Sequence, residues 1–243
     1  MISKNLRVIA VSSFLTGLFS SMTQAVWQPF VLSLGAPMST LGFLESLGGR
    51  RGVVPAVIQP LGGWLSDRLG RKPLVALGSF LGLLVMVFYL LAATTGDWYW
   101  LLPGIVLLGT TLVSFPSRSS LIAESVHASR RGMAFSLQMA SWVVPGVFAP
   151  TLGGFIADHW GFIPVFLTRF GLEALRLVFI LWFLQETLSQ VNGDISLGEL
   201  RGMLARMIVP PRELRGFYWA CLLYTSDAAD EGLGVDLGGR RII

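Results

Sequence analysis

The sequence predicts an all-α membrane fold, six transmembrane helices arranged as two inverted three-helix repeats, and three observations carry that expectation. Of the 243 residues 53% are hydrophobic and only 13% charged, giving a mean hydropathy of +0.67, a balance foreign to soluble domains. Lysine and arginine occupy alternate inter-helix loops and are absent from the others. A short glycine-aspartate-glycine pattern occurs twice, at positions that fall on opposite sides of a bilayer once the helices are placed.

Roughly 20 apolar residues suffice to cross a bilayer, and apolar runs between their punctuation give spans at 6–34, 40–65, 73–94, 99–122, 133–157 and 164–185. Lys4 and Arg7 precede the first run, but it continues to Leu34 without a small-residue cleavage pattern, so it reads as a membrane helix and not a cleaved signal. The second span ends in the basic stretch around Arg68, Arg71 and Lys72, and the fifth follows Arg130 and Arg131. Four further arginines, Arg201, Arg206, Arg212 and Arg215, follow the sixth. The loops Gly35 to Ser39, Thr95 to Trp98 and Asp158 to Ile163 contain no lysine or arginine. The positive-inside rule then places the basic loops and the N-terminus in the cytoplasm, and Trp98, Tyr99, Trp100 and Trp160 where an outer aromatic belt would lie.

The repeated pattern is "GGWLSDRLGRK" from Gly62 and "GGFIADHWGF" from Gly153, each with two glycines, an aspartate and a further glycine at the same offsets. Three spans separate the copies, so one lies at the inner end of helix 2 and the other at the outer end of helix 5. Inverted three-helix repeats of this kind are characteristic of secondary transporters. The outward copy lacks the bases because only cytoplasmic loops favour positive charge.

Several polar residues lie within the spans. Ser12, Thr16, Ser20, Gln24 and Gln28 recur every four residues on helix 1, a stripe that lipid cannot hydrogen-bond and that is expected to line a cavity. Arg50 and Arg51 fall in the middle of the second span, where each costs roughly 2.5 to 3.5 kcal/mol on insertion scales. Arg51, Pro55 and Gln59 share a face by their spacing of four, making Arg51 the expected cavity cation and leaving Arg50, about 100° away, to pair with a carboxylate. Helix 4 adds Ser114 and Arg118. Arg169, Glu173 and Arg176 on helix 6 are spaced to form a self-neutralising triad. The excess of arginine over carboxylate hints at an anionic solute. Gly78 and Gly82 on helix 3, and Gly146, Pro150 and Gly154 on helix 5, read as helix contact faces. A single cysteine, Cys221, and two histidines in separate loops give no expectation of a disulfide, metal site or cofactor; neither an enzyme nor a nucleic-acid partner is expected.

The stretch Gly63, Leu65, Asp67, Arg68, Gly70, Arg71, Lys72 resembles the signature loop of the major facilitator superfamily between helices 2 and 3, and "LQETL" at 184–188 resembles that family's exit from helix 6. The resemblance implies the N-terminal half of a twelve-helix fold at 1–187, a cytoplasmic linker at 188–213, the start of helix 7 at 214–220, and a C-terminal six-helix half as partner. It further implies a cytoplasmic gate in which Asp67 accepts hydrogen bonds from the N-terminus of a helix in the second half, while Arg71 reaches Glu124. Arg68 and Lys72 are assigned to topology and to anionic lipid. Residues 221–243 resemble translated sequencing-adapter read-through. Setting that segment aside takes two bases from 18 and four acids from 14, a net charge of +6 for the remainder. Helix 4 lacks the arginine-glycine motif of drug/proton antiporters, and helix 5 matches the antiporter pattern only at Pro150, Gly153 and Gly154. The function implied is ion-coupled secondary transport of a small solute by alternating access in an inner or plasma membrane, with an anion or an exported drug or metabolite as substrate. The alternative is a transporter-like membrane sensor or interaction protein.

Overall fold

The computed structural model describes residues 3–49 and 52–188 and isolated positions beyond. The chain divides into units 1–193 and 194–243, and the bounded helices all lie in the first. The expected linker and the tail fall almost entirely outside the described residues, as do Arg50 and Arg51; of the expected start of helix 7, Gly216, Phe217, Trp219 and Ala220 are described and helical.

The described residues are helical throughout, with no strand. The helices are α1 (Lys4–Ser33), α2 (Met38–Gly48), α3 (Val53–Leu69), α4 (Arg71–Thr95), α5 (Leu101–Thr110), α6 (Ser114–Glu124), α7 (Arg131–Val143), α8 (Ala149–Trp160) and α9 (Phe162–Phe183). They make six passes: α1, the α2–α3 pair, α4, the α5–α6 pair joined through a short 3-10 turn, the α7–α8 pair joined likewise, and α9. Four stretches, Lys4–Ser33, Arg71–Thr95, Trp98–Glu124 and Ala128–Trp160, are each long and apolar enough to cross a membrane. The second pass does not qualify as one helix because it is broken, and the sixth because it carries Arg169, Glu173 and Arg176.

The break in the second pass corrects the expectation of one helix over 40–65. α2 stops at Gly48 and α3 starts at Val53. Glycine is a poor helix former, and a methyl group on Gly48 would lie 1.9 Å from the Ile105 carbonyl oxygen, so the end of α2 is pressed onto the backbone of α5.

Packing follows the inverted repeat. Passes 1 and 5 touch, as do passes 2 and 4; passes 1 and 6 touch, as do passes 3 and 4; and passes 3 and 6 face each other. Exchanging the first three passes with the last three leaves this pattern unchanged. The two motif copies do equivalent work within it. A methyl group on Gly62 would lie 2.3 Å from the Val113 carbonyl oxygen, and one on Gly153 would lie 2.4 Å from that of Met22. Gly70 (φ +102°) joins α3 directly to α4, and Gly161 (φ +82°) joins α8 to α9, left-handed conformations open chiefly to glycine. Within lipid, helices gain little from apolar contact alone, so close approach at small residues holds them together. On helix 5 the glycine that makes this contact is Gly153; Gly154, expected to, has nothing within 4 Å.

Two apolar clusters occupy opposite ends of the bundle. One gathers Leu6, Ile9, Val75, Leu121, Ile122 and Ile180 near the basic loops; the other gathers Phe30, Leu44, Met86, Tyr89, Ile105 and Phe166 near the opposite end. Along α1 and α4 the polar residues lie between them.

This packing predicts that Gly17→Ala and Gly153→Ala each destabilise the bundle by about 1 to 3 kcal/mol, since each methyl would meet a facing carbonyl oxygen, at 2.1 and 2.4 Å respectively. Gly154→Ala should be neutral. Thermal unfolding in detergent, followed by tryptophan fluorescence, measures all three.

Candidate functional site

The polar layer encloses a cavity of about 320 Å³. Its first wall is α1, through Thr16, Phe19, Ser20, Thr23, Gln24 and Trp27. The expected stripe thus enters the cavity over its central part only. Four residues advance a helix by about 400°, so a strict four-residue spacing drifts about 40° per step around the axis. Ser12 is buried elsewhere and Gln28 is exposed outside the lining. Gln59 is also outside it: Pro55, on the same face of α3, packs against Gly109 of α5. Ser114 and Arg118 line the cavity. Arg51 lies outside the described residues, so its expected place at the cavity stays an expectation.

The sixth pass, which sequence reasoning assigned to structural pairing, contributes Arg169, Glu173 and Arg176 to the lining. The expected triad resolves into a pair and a separate cation. Arg176 grips Glu173 through Nε (3.0 Å) and through a short contact from Nη2, and donates from Nη1 to Thr16 Oγ1 at 3.1 Å. Ser79 Oγ donates to the same Glu173 oxygen at 2.7 Å. Gly82 leaves room for this carboxylate, since a methyl there would lie 3.0 Å from Glu173 Cδ. Arg169, four residues before Glu173, instead lies against the ring of Phe19, 5.3 Å from its centroid.

A second cluster closes the basic end of the bundle. Arg71 is buried and ion-paired with both Asp67, four residues earlier, and Glu124 at the end of α6, the latter at 3.1 Å. It also donates to Ser66 Oγ at 3.0 Å. Arg71 and Glu124 therefore meet as expected, whereas the Asp67–Arg71 pair was not anticipated. Arg68 lies over the ring of Trp64 at 4.6 Å, and a methyl group on Gly63 would lie 3.6 Å from Pro116 Cβ.

The exit segment 184–188 straps this cluster together, a role the sequence showed only as a motif. Asn5 and Gln185 exchange two 3.0 Å hydrogen bonds, which ties in α1. Thr187 donates to Glu124, which ties in α6. Glu186 accepts from the backbone N–H groups of Arg71 (3.0 Å) and Lys72 (2.9 Å), capping the open N-terminus of α4. Partial burial pushes the Glu186 carboxyl up, but donation from the N–H groups of Leu188, Lys72, Arg71 and Thr187 outweighs it and holds the group below the ordinary carboxylate range.

A bundle that turns its charged side chains inward around a cavity and ties off one end with ion pairs has the architecture of a membrane transport protein. Comparison with known proteins identifies its kind. The model of the Major Facilitator Superfamily matches residues 9–226, and the chain belongs to that family. It is 28% identical over 191 residues to the multi-drug resistance efflux pump PmrA of Streptococcus pneumoniae serotype 4, covering 78% of this chain and 47% of that protein. It is 31% identical over 185 residues to the multidrug resistance protein MdtG of Klebsiella pneumoniae strain 342, covering 75% and 44%. Among solved structures it resembles the human organic anion transporter MFSD10 (TM-score 0.64, 18% identity, 84% of this chain and 52% of that one). It also resembles the peptide transporter POT in complex with sulfate (TM-score 0.63, 19% identity, 91% and 46%). The chain spans about half the length of the curated relatives it matches.

The cap predicts a pH signature. A carboxyl whose folded-state pKa is depressed stabilises fully above the unfolded-state value, and that contribution is lost as pH falls through the folded-state value. Glu186→Gln should therefore lower the unfolding temperature at neutral pH, and the gap to the parent should close on acidification. A gap independent of pH would show that Glu186 does not act as a charged cap.

Proposed function

We propose that this chain supplies one wall of the solute pathway in a secondary active transporter, which moves a small solute by alternating access and is driven by an ion gradient. The observation that carries the reading is a cavity lined by charged and polar side chains among apolar ones, lying between two apolar clusters, with an ion-paired latch among the described residues at one end. A cavity that opened to both sides at once would leak; a latch at one end is half of an alternating gate. The other half of the pathway would come from a C-terminal six-helix half, in keeping with relatives about twice the length of the matched region.

In this reading the basic end faces the cytoplasm of an inner or plasma membrane, because its loops carry the lysines and arginines. Arg68 and Lys72 meet anionic headgroups there. Asp67, its side chain 69% exposed and paired to Arg71, is open on its outer side to accept hydrogen bonds from a helix N-terminus of the second half. The latch holds the inner gate shut in the outward-open state and releases it for the return. The names of PmrA and MdtG favour export of organic compounds as the direction and substrate range.

In the full-length protein, Asp67→Asn should reduce gradient-driven transport by roughly two- to tenfold, the worth of one charge at a helix N-terminus. Membrane insertion should be unchanged. Transport into proteoliposomes, with and without an ionophore that collapses the gradient, measures both the latch and the coupling. Transport indifferent to the gradient would contradict ion coupling, and unchanged transport in Asp67→Asn would remove the latch.

A further inference from the structure

We infer that the cavity binds an organic anion, gripped by Arg118 and Arg169 with the indole N–H of Trp27 as a third donor. The inference rests on the reading of this cavity as the solute site and names the substrate class.

The first argument is hydrogen-bond accounting. Buried donors and acceptors normally find partners, and each one left over needs an explanation. Among the described residues, the cavity lining carries three buried side-chain polar atoms without a protein partner: Trp27 Nε1, Arg118 Nε and Arg169 Nε. All three are N–H donors. A ligand that satisfies them has to present acceptors, and carboxylate, sulfonate and phosphonate groups present two or more, oriented to take parallel bonds from a guanidinium.

The second argument is charge. Among the described residues the lining holds three guanidiniums, Arg118, Arg169 and Arg176, against two carboxylates, Glu45 and Glu173. Glu173 is committed to Arg176 and Ser79, and Glu45 is exposed and turned back on the end of α2 beside Gly49. Arg118 and Arg169 make no ion pair among the described residues, and the Glu173 charge that reaches both is shared with Arg176. An anion between them supplies a counter-charge of their own. Arginine keeps its charge when buried, so the site stays cationic with the cavity closed.

Geometry leaves the donors available. Arg169 Cζ lies over the ring of Phe19 in a cation–π contact, and its Nε has no protein partner. Trp27 is held by stacking on buried Tyr89, with centroids 5.0 Å apart and 19° between planes, so its N–H is positioned without a hydrogen bond. These aromatic walls, together with Trp142 and Phe115, suit a planar apolar body behind the anionic head.

The test is isothermal titration of the purified full-length protein with 1-naphthoate and with 1-naphthamide, which has the same ring system and no charge. Naphthoate should bind about tenfold more tightly. Arg118→Gln and Arg169→Gln should each abolish most of that preference, Arg118→Lys and Arg169→Lys should leave it intermediate, and Arg130→Gln, in an exposed basic loop, should leave it intact. Equal affinity for the two compounds, no naphthoate binding, or a preference that survives both glutamine substitutions would overturn the inference. The naphthoate–naphthamide comparison needs no substitution, so a variant that fails to fold does not stop the test. If naphthoate binds as expected but no solute crosses proteoliposomes under a gradient, the anion site stands and the transport reading fails.

Discussion

A guanidinium cannot be left in hydrocarbon, and the architecture of this bundle answers that constraint. Each arginine at the centre of a membrane span costs roughly 2.5 to 3.5 kcal/mol on insertion scales. Arg118, Arg169 and Arg176 all turn to one interior cavity. Lipid tails offer helices no reason to associate through apolar faces, so contacts at which backbones nearly touch hold the walls of that cavity in place. Gly17 against Trp142, Gly48 against Ile105, Gly62 against Val113 and Gly153 against Met22 supply them. The apolar clusters lie on either side of the polar layer along the bundle.

The repeat gives these contacts their arrangement. Gly62 and Gly153 stand 91 positions apart in the chain and perform the same contact in the two halves. Gly70 and Gly161 perform the same one-residue joint. The halves diverge immediately after that joint. Gly70 leads into Arg71 and Lys72, whose amides Glu186 caps, and the Arg71 guanidinium binds Asp67 and Glu124. Gly161 leads into an apolar turn with no such cluster among the described residues. The two halves share a scaffold, and charge makes only the basic end a latch.

Much of this was legible in the sequence, because hydropathy and loop charge report the solvent of each segment directly. The passes, the inverted repeat, the family and the Arg71–Glu124 contact all followed from local patterns. The rest depended on facts that periodicity does not encode. The break after Gly48 was signalled by the run Gly48, Gly49, Arg50, Arg51 and Gly52, which interrupts the apolar pattern with poor helix formers and charge, and a reading by overall span length passed over it. Strict spacing by four overstated the α1 stripe, because the helix turns away beneath it, and so Gln28 left the cavity. The choice of Gly153 over Gly154 depends on a direction of about 100° that only the packed neighbour fixes. Arg169 and Arg176 are equally plausible partners of Glu173 by spacing, and only the packed bundle separates them, with Arg176 on Glu173 and Arg169 against Phe19. Glu186 carried no signal beyond its motif, because a helix cap supplied from more than 100 residues away leaves no local trace.

The central claim is that the buried charges of these passes face a water-accessible interior, and thiol labelling tests it most directly. In the full-length protein with its own cysteines replaced by serine, cysteines are placed at Ser20 and Ser114, which line the cavity, and at Val87 and Leu175, which are exposed on the outside of α4 and α9. Ser20→Cys and Ser114→Cys should react with a charged, membrane-impermeant methanethiosulfonate, while Val87→Cys and Leu175→Cys should react only with a lipid-soluble maleimide. The reverse pattern, with the outer positions open to the charged reagent and the inner ones shielded, would contradict the account.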